Sequence, residues 1–201
     1  IKPSDPELGG FDYASLDLAR ESSVEAFCEM LENHPPFDII VNNAGINIIE
    51  PFSELSVDNF NLVQDVNIRG VARITKAALK SDHLAMRHVL NIASIWSVIS
   101  KEGRVSYATS KAALVGFTRA LAVDLAPSSI IVNAISPGFT DTELTRSSLS
   151  DQEIAALSEK IPVGRMASVE EIANLALFLS SLSNNYITGQ NIIIDGGFSI
   201  V

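Results

Sequence analysis

Short runs of β-branched and aliphatic residues alternate along this chain with longer segments in which apolar and polar positions recur at helical spacing. Short apolar runs with turn signals on both sides are typical of strands buried on both faces of a sheet. Strands that alternate with helices indicate a parallel sheet covered by those helices. We predict strands at residues 11–16, 37–41, 87–92, 130–135 and 191–194.

The segments between these strands carry the signals that begin and end helices. Ser22 or Ser23 can cap a first helix that ends near His34. Ser168 and Glu171 have the spacing of a capping box. We predict further helices at 56–79, 106–125 and 168–180, and a polar helical excursion at about 141–160 that could act as a lid.

The composition is that of one domain over residues 1–201, since 47% of the residues are hydrophobic. No apolar run reaches the roughly 20 residues that cross a membrane, so we expect no membrane partner. The net charge of −10, without a basic stripe, argues against nucleic-acid binding. Cys28 is the sole cysteine, which excludes an internal disulfide and favours a cytoplasmic location. The three histidines lack metal-ligand spacing, so we expect no metal site.

Tyr107 and Lys111 lie four residues apart in a predicted helix, and Ser94 ends a predicted strand. Residues at i and i+4 share one face of a helix, so a phenol and an ammonium can point into one cleft. The positive charge should lower the pKa of the tyrosine from about 10 toward working pH. A carbonyl oxygen held by Ser94 and Tyr107 could then take a proton while its carbon takes a hydride.

Four more motifs occur in a fixed order around this pair. They are Asn42-Asn-Ala-Gly45, Asn67, Asn91-Ile-Ala-Ser94 and Pro137-Gly-Phe-Thr-Asp-Thr142. With Tyr107-x-x-x-Lys111 they resemble the short-chain dehydrogenase/reductase family, and the resemblance covers nearly the whole chain. The tail, which includes Pro162-Val-Gly-Arg165, Tyr186-Ile-Thr-Gly189 and Asp195-Gly-Gly197, resembles the 3-oxoacyl-[acyl-carrier-protein] reductase branch.

This resemblance implies an α/β fold, a Rossmann-like doubly wound parallel sheet in three αβα layers, with NAD or NADP as the cofactor. It implies an oxidoreductase that moves a hydride between nicotinamide and a ketone or secondary alcohol. Tyr107 takes the role of general acid or base. Lys111 takes that of the residue that tunes the phenol and binds the nicotinamide ribose, and Ser94 that of the group that stabilises the substrate oxygen. Asn67 matches the residue whose backbone holds a water next to the lysine, although a simple helix kink remains an alternative.

The same resemblance assigns cofactor contacts. Asp17 and Leu18 match an adenine-binding pair, although a lone aspartate at a strand end can also be a plain cap. The small residues after Asn42 match a ribose-binding loop, for which an ordinary turn is the alternative. The complete expected set is Asp17, Leu18, Asn43, Ala44, Gly45, Tyr107, Lys111, Pro137, Gly138, Thr140 and Thr142.

The glycine-rich turn that holds the pyrophosphate has no counterpart in this sequence. Gly9-Gly10 precedes a predicted strand rather than a helix. By resemblance the first β-α-β unit is absent from the chain, and it would lie between the strand that ends at Asp17 and the one that ends at Asn42. We therefore expect a longer parent protein, and we expect cofactor binding to fail if the unit is truly missing.

The substrate is left open by the sequence, with a 3-oxoacyl thioester as one candidate. Carrier-protein reductases often have an arginine just before the strand predicted at 130–135, where this chain has Ser128-Ser129. Ser97 stands where the family often has glycine and is expected to shape the pocket. The pocket-lining residues are expected to be Ser94, Trp96 and Tyr107.

Two interpretations from different classes remain: an enzyme, and a non-catalytic scaffold or binding subunit that keeps the fold. The complete set of polar residues favours the enzyme, whereas the missing phosphate loop favours the scaffold. Family members pair through the tyrosine-bearing helix and the one before it, so we expect a homodimer or homotetramer. Leu114, Phe117 and Leu121 recur on that helix, and core packing explains them equally well.

Overall fold

A parallel sheet forms the centre of the computed structural model, which describes residues 12–80 and 87–201. Its four strands in these ranges are β1 (Ile39–Asn42), β2 (His88–Ile92), β3 (Ile131–Pro137) and β4 (Asn191–Ile194), in that spatial order. The register places Asn42 opposite Asn91 and Pro137 opposite Ile194. Because all pairs are parallel, the carboxyl ends of the strands meet along one edge of the sheet.

The helices follow the predicted pattern closely. In the described part of the chain they are α1 (Glu21–Glu32), α2 (Val57–Gln64), α3 (Gly70–Lys80), α4 (Val105–Leu125), α5 (Glu143–Ser148), α6 (Asp151–Glu159) and α7 (Val169–Leu179). A π-helical turn, Asp65–Arg69, joins α2 to α3 without a break, so the helix predicted at 56–79 is one continuous element. Ser168 and Glu171 form both bonds of the predicted capping box at the start of α7.

Helices cover both faces of the sheet, which confirms the three-layer Rossmann-like α/β fold. On one face Val132 of β3 packs against Ala122 of α4. On the other face Ile135 of β3 packs against Leu179 of α7. The strand order advances in one direction while α4 and α7 lie on opposite faces. The last crossover therefore has the opposite hand to the one before it.

The predicted strand at 11–16 is wrong for residues 12–16, which form no strand, while Gly9-Gly10 and Phe11 lie outside the described residues. A strand needs a neighbour that satisfies its backbone N–H and C=O groups. Among the described strands, β1 pairs with β2 alone. Leu16 and Leu18 instead line a cavity of about 210 Å³ beside β1 with Ile40 and Val41. Of residues 12–16, Leu16 alone is partly buried, and the others are exposed.

The excursion predicted at 141–160 is helical but consists of two short helices, α5 and α6. Thr142 caps α5, since its hydroxyl accepts a hydrogen bond from the N–H of Thr145 at 3.2 Å. Ser150 and Glu153 form a capping box that begins α6. That box needs an extended backbone at Ser150, so the chain cannot continue as a single helix.

Gly138, which follows β3, lies directly against Asp195, which follows β4. Its N–H donates to the carbonyl oxygen of Ile194 at 2.9 Å. A Cβ added to Gly138 would lie 2.6 Å from Cβ and 2.7 Å from Cα of Asp195. Contacts this short are not tolerated, so any side chain at this position would have to displace the backbone.

We expect Gly138→Ala to lower the free energy of unfolding by about 1–3 kcal/mol, because overpacking forces backbone shifts. Gly116→Ala is the matched control. No atom lies within 4 Å of the Cβ it would add in α4, so it should raise the free energy by about 0.5–1 kcal/mol. Urea unfolding followed by circular dichroism measures both. Equal effects would show that the approach at Gly138 is not tight.

Candidate active site

Ser94, Tyr107 and Lys111 lie together at the carboxyl edge of the sheet. Ser94 follows β2, and the other two project from the first turns of α4. Nζ of Lys111 lies 5.6 Å from the centre of the Tyr107 ring. The Ser94 hydroxyl is placed to hydrogen-bond the phenol and so to lower its pKa. Its oxygen also accepts from the N–H of Trp96 at 3.3 Å, which holds the hydroxyl in place.

Lys111 is buried, with 3% of its surface exposed. Its Nζ donates to the carbonyl oxygen of Ile92 at 2.8 Å, the one hydrogen-bond acceptor that the described residues offer it. An ammonium carries three hydrogens, so two remain for a ligand. Burial without a counter-ion lowers the pKa of Lys111 to about 8.

The expectation that Lys111 lowers the pKa of Tyr107 is wrong for the chain alone. Burial raises the pKa of Tyr107 above its usual value near 10, and the Ser94 hydroxyl and the Arg104 charge oppose that rise. Lys111 does not offset this rise, because burial lowers its own pKa to about 8 and it has lost its charge at the pH at which the phenol titrates. The phenol is therefore protonated at neutral pH, which is the form that a general acid needs.

Asn67 is fully buried in the π-helical turn and ties two parts of the site together. Its Nδ2 donates to the carbonyl of Ile46 and to Oγ of Ser110, each at 2.9 Å, and its Oδ1 accepts from the N–H of Ile46 at 2.8 Å. Ser110 Oγ in turn donates to the carbonyl of Tyr107 at 2.8 Å. These side-chain bonds are long-range, so local hydrogen bonding to the helix does not describe them. The water predicted beside its backbone stays a prediction.

The loop after β1 lies directly over this site. A Cβ on Gly45 would lie 3.3 Å from both Oδ1 of Asn67 and Nζ of Lys111, so the backbone approaches the two side chains closely. Asn43, Ala44 and Gly45 are exposed, as a ligand-binding surface requires. The inner side of the loop is therefore fixed by the side chains of the site, and its outer side is exposed to solvent.

Asn42 and Asn91, which begin two of the motifs, have a role that the sequence did not reveal. Nδ2 of Asn42 donates to Oδ1 of Asn91 at 2.8 Å and to Oγ1 of Thr75 at 3.0 Å. Nδ2 of Asn91 donates to Oγ1 of Thr118 at 2.9 Å. This buried chain of polar groups connects β1, β2, α3 and α4 directly below the site.

Asp17 and Leu18 reach the rim of the same region. The carboxylate of Asp17 accepts from the N–H of Ala19 at 3.0 Å, so the side chain caps a turn. Leu18 lines the cavity beside β1 together with Asn43 and Ala44. The structure therefore brings Leu18 to the predicted ribose loop, while adenine binding stays a prediction for both residues.

The turn after β3 carries the remaining predicted cofactor residues. Pro137 ends the strand, and Gly138 lies against Asp195. Both threonine hydroxyls have intramolecular partners: Thr140 Oγ1 reaches the carbonyl of Gly138 at 3.5 Å, and Thr142 caps α5. The cofactor contacts predicted for this turn remain predictions.

The hydroxyl of Ser97 has partners within the protein, and its expected role in shaping the pocket stays a prediction. Its hydroxyl lies 3.1 Å from Oγ of Ser136 and accepts from Nδ2 of Asn191 at 3.5 Å. Ser136 Oγ donates to Oδ1 of Asn191 at 2.7 Å. A serine fits here in place of glycine because it joins a hydrogen-bonded group that links β3 to β4.

Three residues beside Trp96 were missed. The Phe139 ring meets Trp96 edge-on at 6.2 Å and Phe198 at 5.1 Å. Cζ of Arg104 lies 5.4 Å from the centre of the Trp96 ring. Arg104 precedes Tyr107 by three residues at the start of α4, and that spacing could have indicated that both face one cleft.

Other features of the described residues point away from alternative sites. A cavity of about 470 Å³ lies near the amino edge of the sheet, beside Arg87, Ala126 and Tyr186, and none of the predicted catalytic or cofactor-binding residues lines it. Within residues 12–80 and 87–201, no three His, Cys, Asp or Glu side chains group as metal ligands. No helix in those ranges is long and apolar enough to cross a bilayer.

Comparison with known proteins finds related chains. A family model described as enoyl-(acyl carrier protein) reductase matches residues 3–199. The 3-oxoacyl-[acyl-carrier-protein] reductase FabG of Aquifex aeolicus is 40% identical over 181 residues, which are 90% of this chain and 73% of that protein.

Two solved structures show the same likeness in three dimensions. A gluconate 5-dehydrogenase from Burkholderia cenocepacia, in complex with NADP and tartrate, has a TM-score of 0.85 at 29% identity, covering 94% of this chain and 76% of that one. The Pseudomonas aeruginosa RhlG/NADP active-site complex has a TM-score of 0.83 at 32% identity, covering 92% and 75%.

Burial of Lys111 should cost stability, which gives a prediction that is independent of activity. The difference between its usual pKa of 10.5 and about 8 corresponds to about 3 kcal/mol. Lys111→Met removes this cost and loses one hydrogen bond of about 1 kcal/mol. We expect the melting temperature at pH 7 to rise by about 2–6 °C.

The pH dependence of stability tests whether the buried charge of Lys111 is the cause. Between pH 8 and 9.5 the unfolded chain retains the lysine proton that the folded chain has lost, so wild-type stability should rise with pH relative to Lys111→Met. Lys76→Met, on the exposed face of α3, is the control and should leave both quantities nearly unchanged. A lower melting temperature for Lys111→Met would contradict the assignment.

Proposed function

This chain belongs to the short-chain dehydrogenase/reductase family, and we propose that Ser94, Tyr107 and Lys111 carry out its reaction. It is an NAD(P)-dependent oxidoreductase that moves a hydride between nicotinamide and a ketone or secondary alcohol, and the scaffold interpretation is not favoured. The observation that carries the proposal is the meeting of a strand-end hydroxyl, a protonated phenol and a buried ammonium at one sheet edge.

The residues around this site fit a nicotinamide cofactor. Lys111 has two N–H groups without a protein acceptor, and the exposed loop 43–45 lies against its Nζ. We propose that Asn43, Ala44 and Gly45 bind the adenosine side, that Lys111 binds the nicotinamide ribose and that the turn 137–142 holds the nicotinamide end. When bound, the cofactor supplies or accepts the hydride.

The chain's own residues handle the proton. For carbonyl reduction Tyr107 donates its phenolic proton to the substrate oxygen, which is the role its protonated form allows. The Ser94 hydroxyl donates a hydrogen bond to the same oxygen and stabilises the charge that develops there. Lys111 stabilises the phenolate that remains, and its pKa of about 8 lets it pass on a proton. Asn67 positions the loop and α4 around it.

Two substrate classes are candidates. Similarity to a 3-oxoacyl-[acyl-carrier-protein] reductase supports a 3-oxoacyl thioester, and similarity to a gluconate 5-dehydrogenase supports a hydroxy acid. Ser128 and Ser129 provide no cation for an acidic carrier protein at their position, which weakens the first class. We propose that Trp96 forms one wall of the pocket and that α5 and α6 form a lid over it, within one domain over residues 1–201. A cytoplasmic location stays a prediction.

Assembly into a homodimer or homotetramer is also proposed. On α4, Leu114 is buried and Phe117 and Leu121 are partly buried against the core, so these three residues offer little exposed apolar surface. More exposed apolar side chains occur around α7 and β4. They are Leu177, Phe178, Leu182, Ile193 and Ile200.

We expect Leu177→Asp, at a side chain that is 70% exposed, to lower the mass of the assembly measured by light scattering, because burying the carboxylate between copies is costly. Val123→Asp places the same charge on the exposed side of α4 and tests the interface that the sequence suggested. A mass reduced by Val123→Asp alone would favour the α4 interface. A monomeric wild-type protein would contradict both.

The catalytic assignment predicts that Tyr107→Phe lowers the rate of carbonyl reduction by about 10²- to 10⁴-fold, because the general acid is lost. The measurement is oxidation of NADH or NADPH by the full-length natural protein with a panel of ketones and 3-oxoacyl thioesters. Tyr186→Phe, at a side chain that is 93% exposed, is the matched control and should keep full activity. Activity that survives Tyr107→Phe would refute the role of the phenol.

A further inference from the structure

Arg104 lies close to the reacting groups, and among the described residues its side chain has neither a hydrogen-bond acceptor nor an ion-pair partner. Its Cζ stacks on the Trp96 ring at 5.4 Å, and its charge acts on Tyr107. Its Nε is buried without a hydrogen-bond partner, and no carboxylate among the described residues forms an ion pair with it. The charge of Arg104 acts on the phenol of Tyr107, and the proposed reaction places the substrate oxygen at that phenol and Ser94.

Packing on tryptophan does not account for this arrangement. A cation over an aromatic ring contributes about 0.5–2 kcal/mol, but it does not satisfy a buried N–H donor. Burial also lowers the pKa of Arg104, so the protein itself disfavours the charge there. A guanidinium is shaped to bind a carboxylate through two parallel hydrogen bonds, which would compensate both costs.

Glu50 is an acidic residue close to Arg104, because its N–H donates to the carbonyl of Gly103 at 3.2 Å. Its Oε1 accepts from Nδ2 of Asn59 at 2.5 Å, and its Oε2 is buried without a hydrogen-bond partner among the described residues. The Glu50 carboxylate therefore makes no ion pair with the guanidinium. A carboxylate from outside the described residues would supply the acceptor that Arg104 lacks.

We propose that Arg104 binds a free carboxylate of the substrate, so that the enzyme acts on a short oxo acid or hydroxy acid whose carboxylate lies a few bonds from the reacting carbon. This inference rests on the proposed reaction at Tyr107 and names its substrate class. The aromatic group of Trp96, Phe139 and Phe198 forms the apolar wall beside that carboxylate. Arg104 then selects the substrate, while Tyr107 reacts with its ketone.

The test compares 3-oxobutanoate with its methyl ester in the full-length natural protein with NADH or NADPH. The two compounds share one ketone and differ in charge. We expect wild type to prefer the acid in kcat/KM, and Arg104→Gln to reduce the ratio of acid to ester by about 10- to 100-fold. Arg119→Gln removes the same charge from the exposed side of α4 and should leave the ratio unchanged. Equal losses for both compounds would overturn the proposal and leave Arg104 a positioning residue for Tyr107.

A second readout separates this inference from the proposed reaction. Trp96 is the only tryptophan in the chain, so its fluorescence reports directly on the stacked guanidinium. Titration with 3-hydroxybutyrate should change the signal in wild type and Arg119→Gln, and the methyl ester should not. If neither ketone is reduced but this change occurs and requires Arg104, the proposed reaction fails and the carboxylate site stands. If the acid leaves the fluorescence unchanged, the carboxylate site is wrong.

Discussion

Polar side chains can be buried at the carboxyl edge of this sheet only if each finds a partner, and a chain of amides meets that requirement. Asn42 donates to Asn91, Asn91 donates to Thr118, and Thr118 donates to the carbonyl of Leu114. An unpaired amide at these positions would cost a few kilocalories per mole, so strand register and helix placement are fixed together. Because α4 is anchored in this way, Tyr107 and Lys111 face the end of β2 rather than solvent.

Two cations close to this edge are exceptions to that requirement. Lys111 lies beside Ser94, and Arg104 lies beside Trp96. Lys111 has one carbonyl as its acceptor, and the buried Nε of Arg104 has none. A charge that is buried for structural reasons normally forms an ion pair, because an uncompensated cation destabilises the fold. Groups held in a destabilised state by a well-packed surrounding are typical of functional sites. The hydrogen-bonded amides stabilise the fold, whereas the two cations without a full set of acceptors remain available to bind ligands.

Much of the fold could be predicted because its signals are local. The apolar runs at β2 and β3 and the capping box at Ser168 each depend on neighbouring residues, and each was found. The segment 12–16 was mistaken for a strand because its alternation is local, whereas pairing depends on a neighbour elsewhere in the chain. The hydrogen bonds of Ser97 were not predicted for the same reason, since its partners Ser136 and Asn191 are distant in sequence.

The candidate site shows a second limit, which is electrostatic. Spacing alone placed Tyr107 and Lys111 in one cleft, but the sign of the pKa shift depends on burial and on where Nζ points. Neither the burial nor the direction of Nζ can be predicted from the four-residue spacing. Arg104 was missed because an arginine at the start of a helix is usually solvated, and only the packing of Trp96 reveals that this one is not.

The charge state of the site also bears on the direction of the reaction. At pH 7 Tyr107 is protonated because burial raises its pKa, and Lys111 is charged because its pKa remains about 8. The site therefore rests with a proton ready to donate, which suits carbonyl reduction. Alcohol oxidation needs the phenolate, and burial disfavours that anion unless a cation beside it is kept charged. Above pH 8 Lys111 begins to lose its charge while the phenol still holds its proton. Raising the pH therefore removes the cation that stabilises the phenolate before the phenol itself loses its proton.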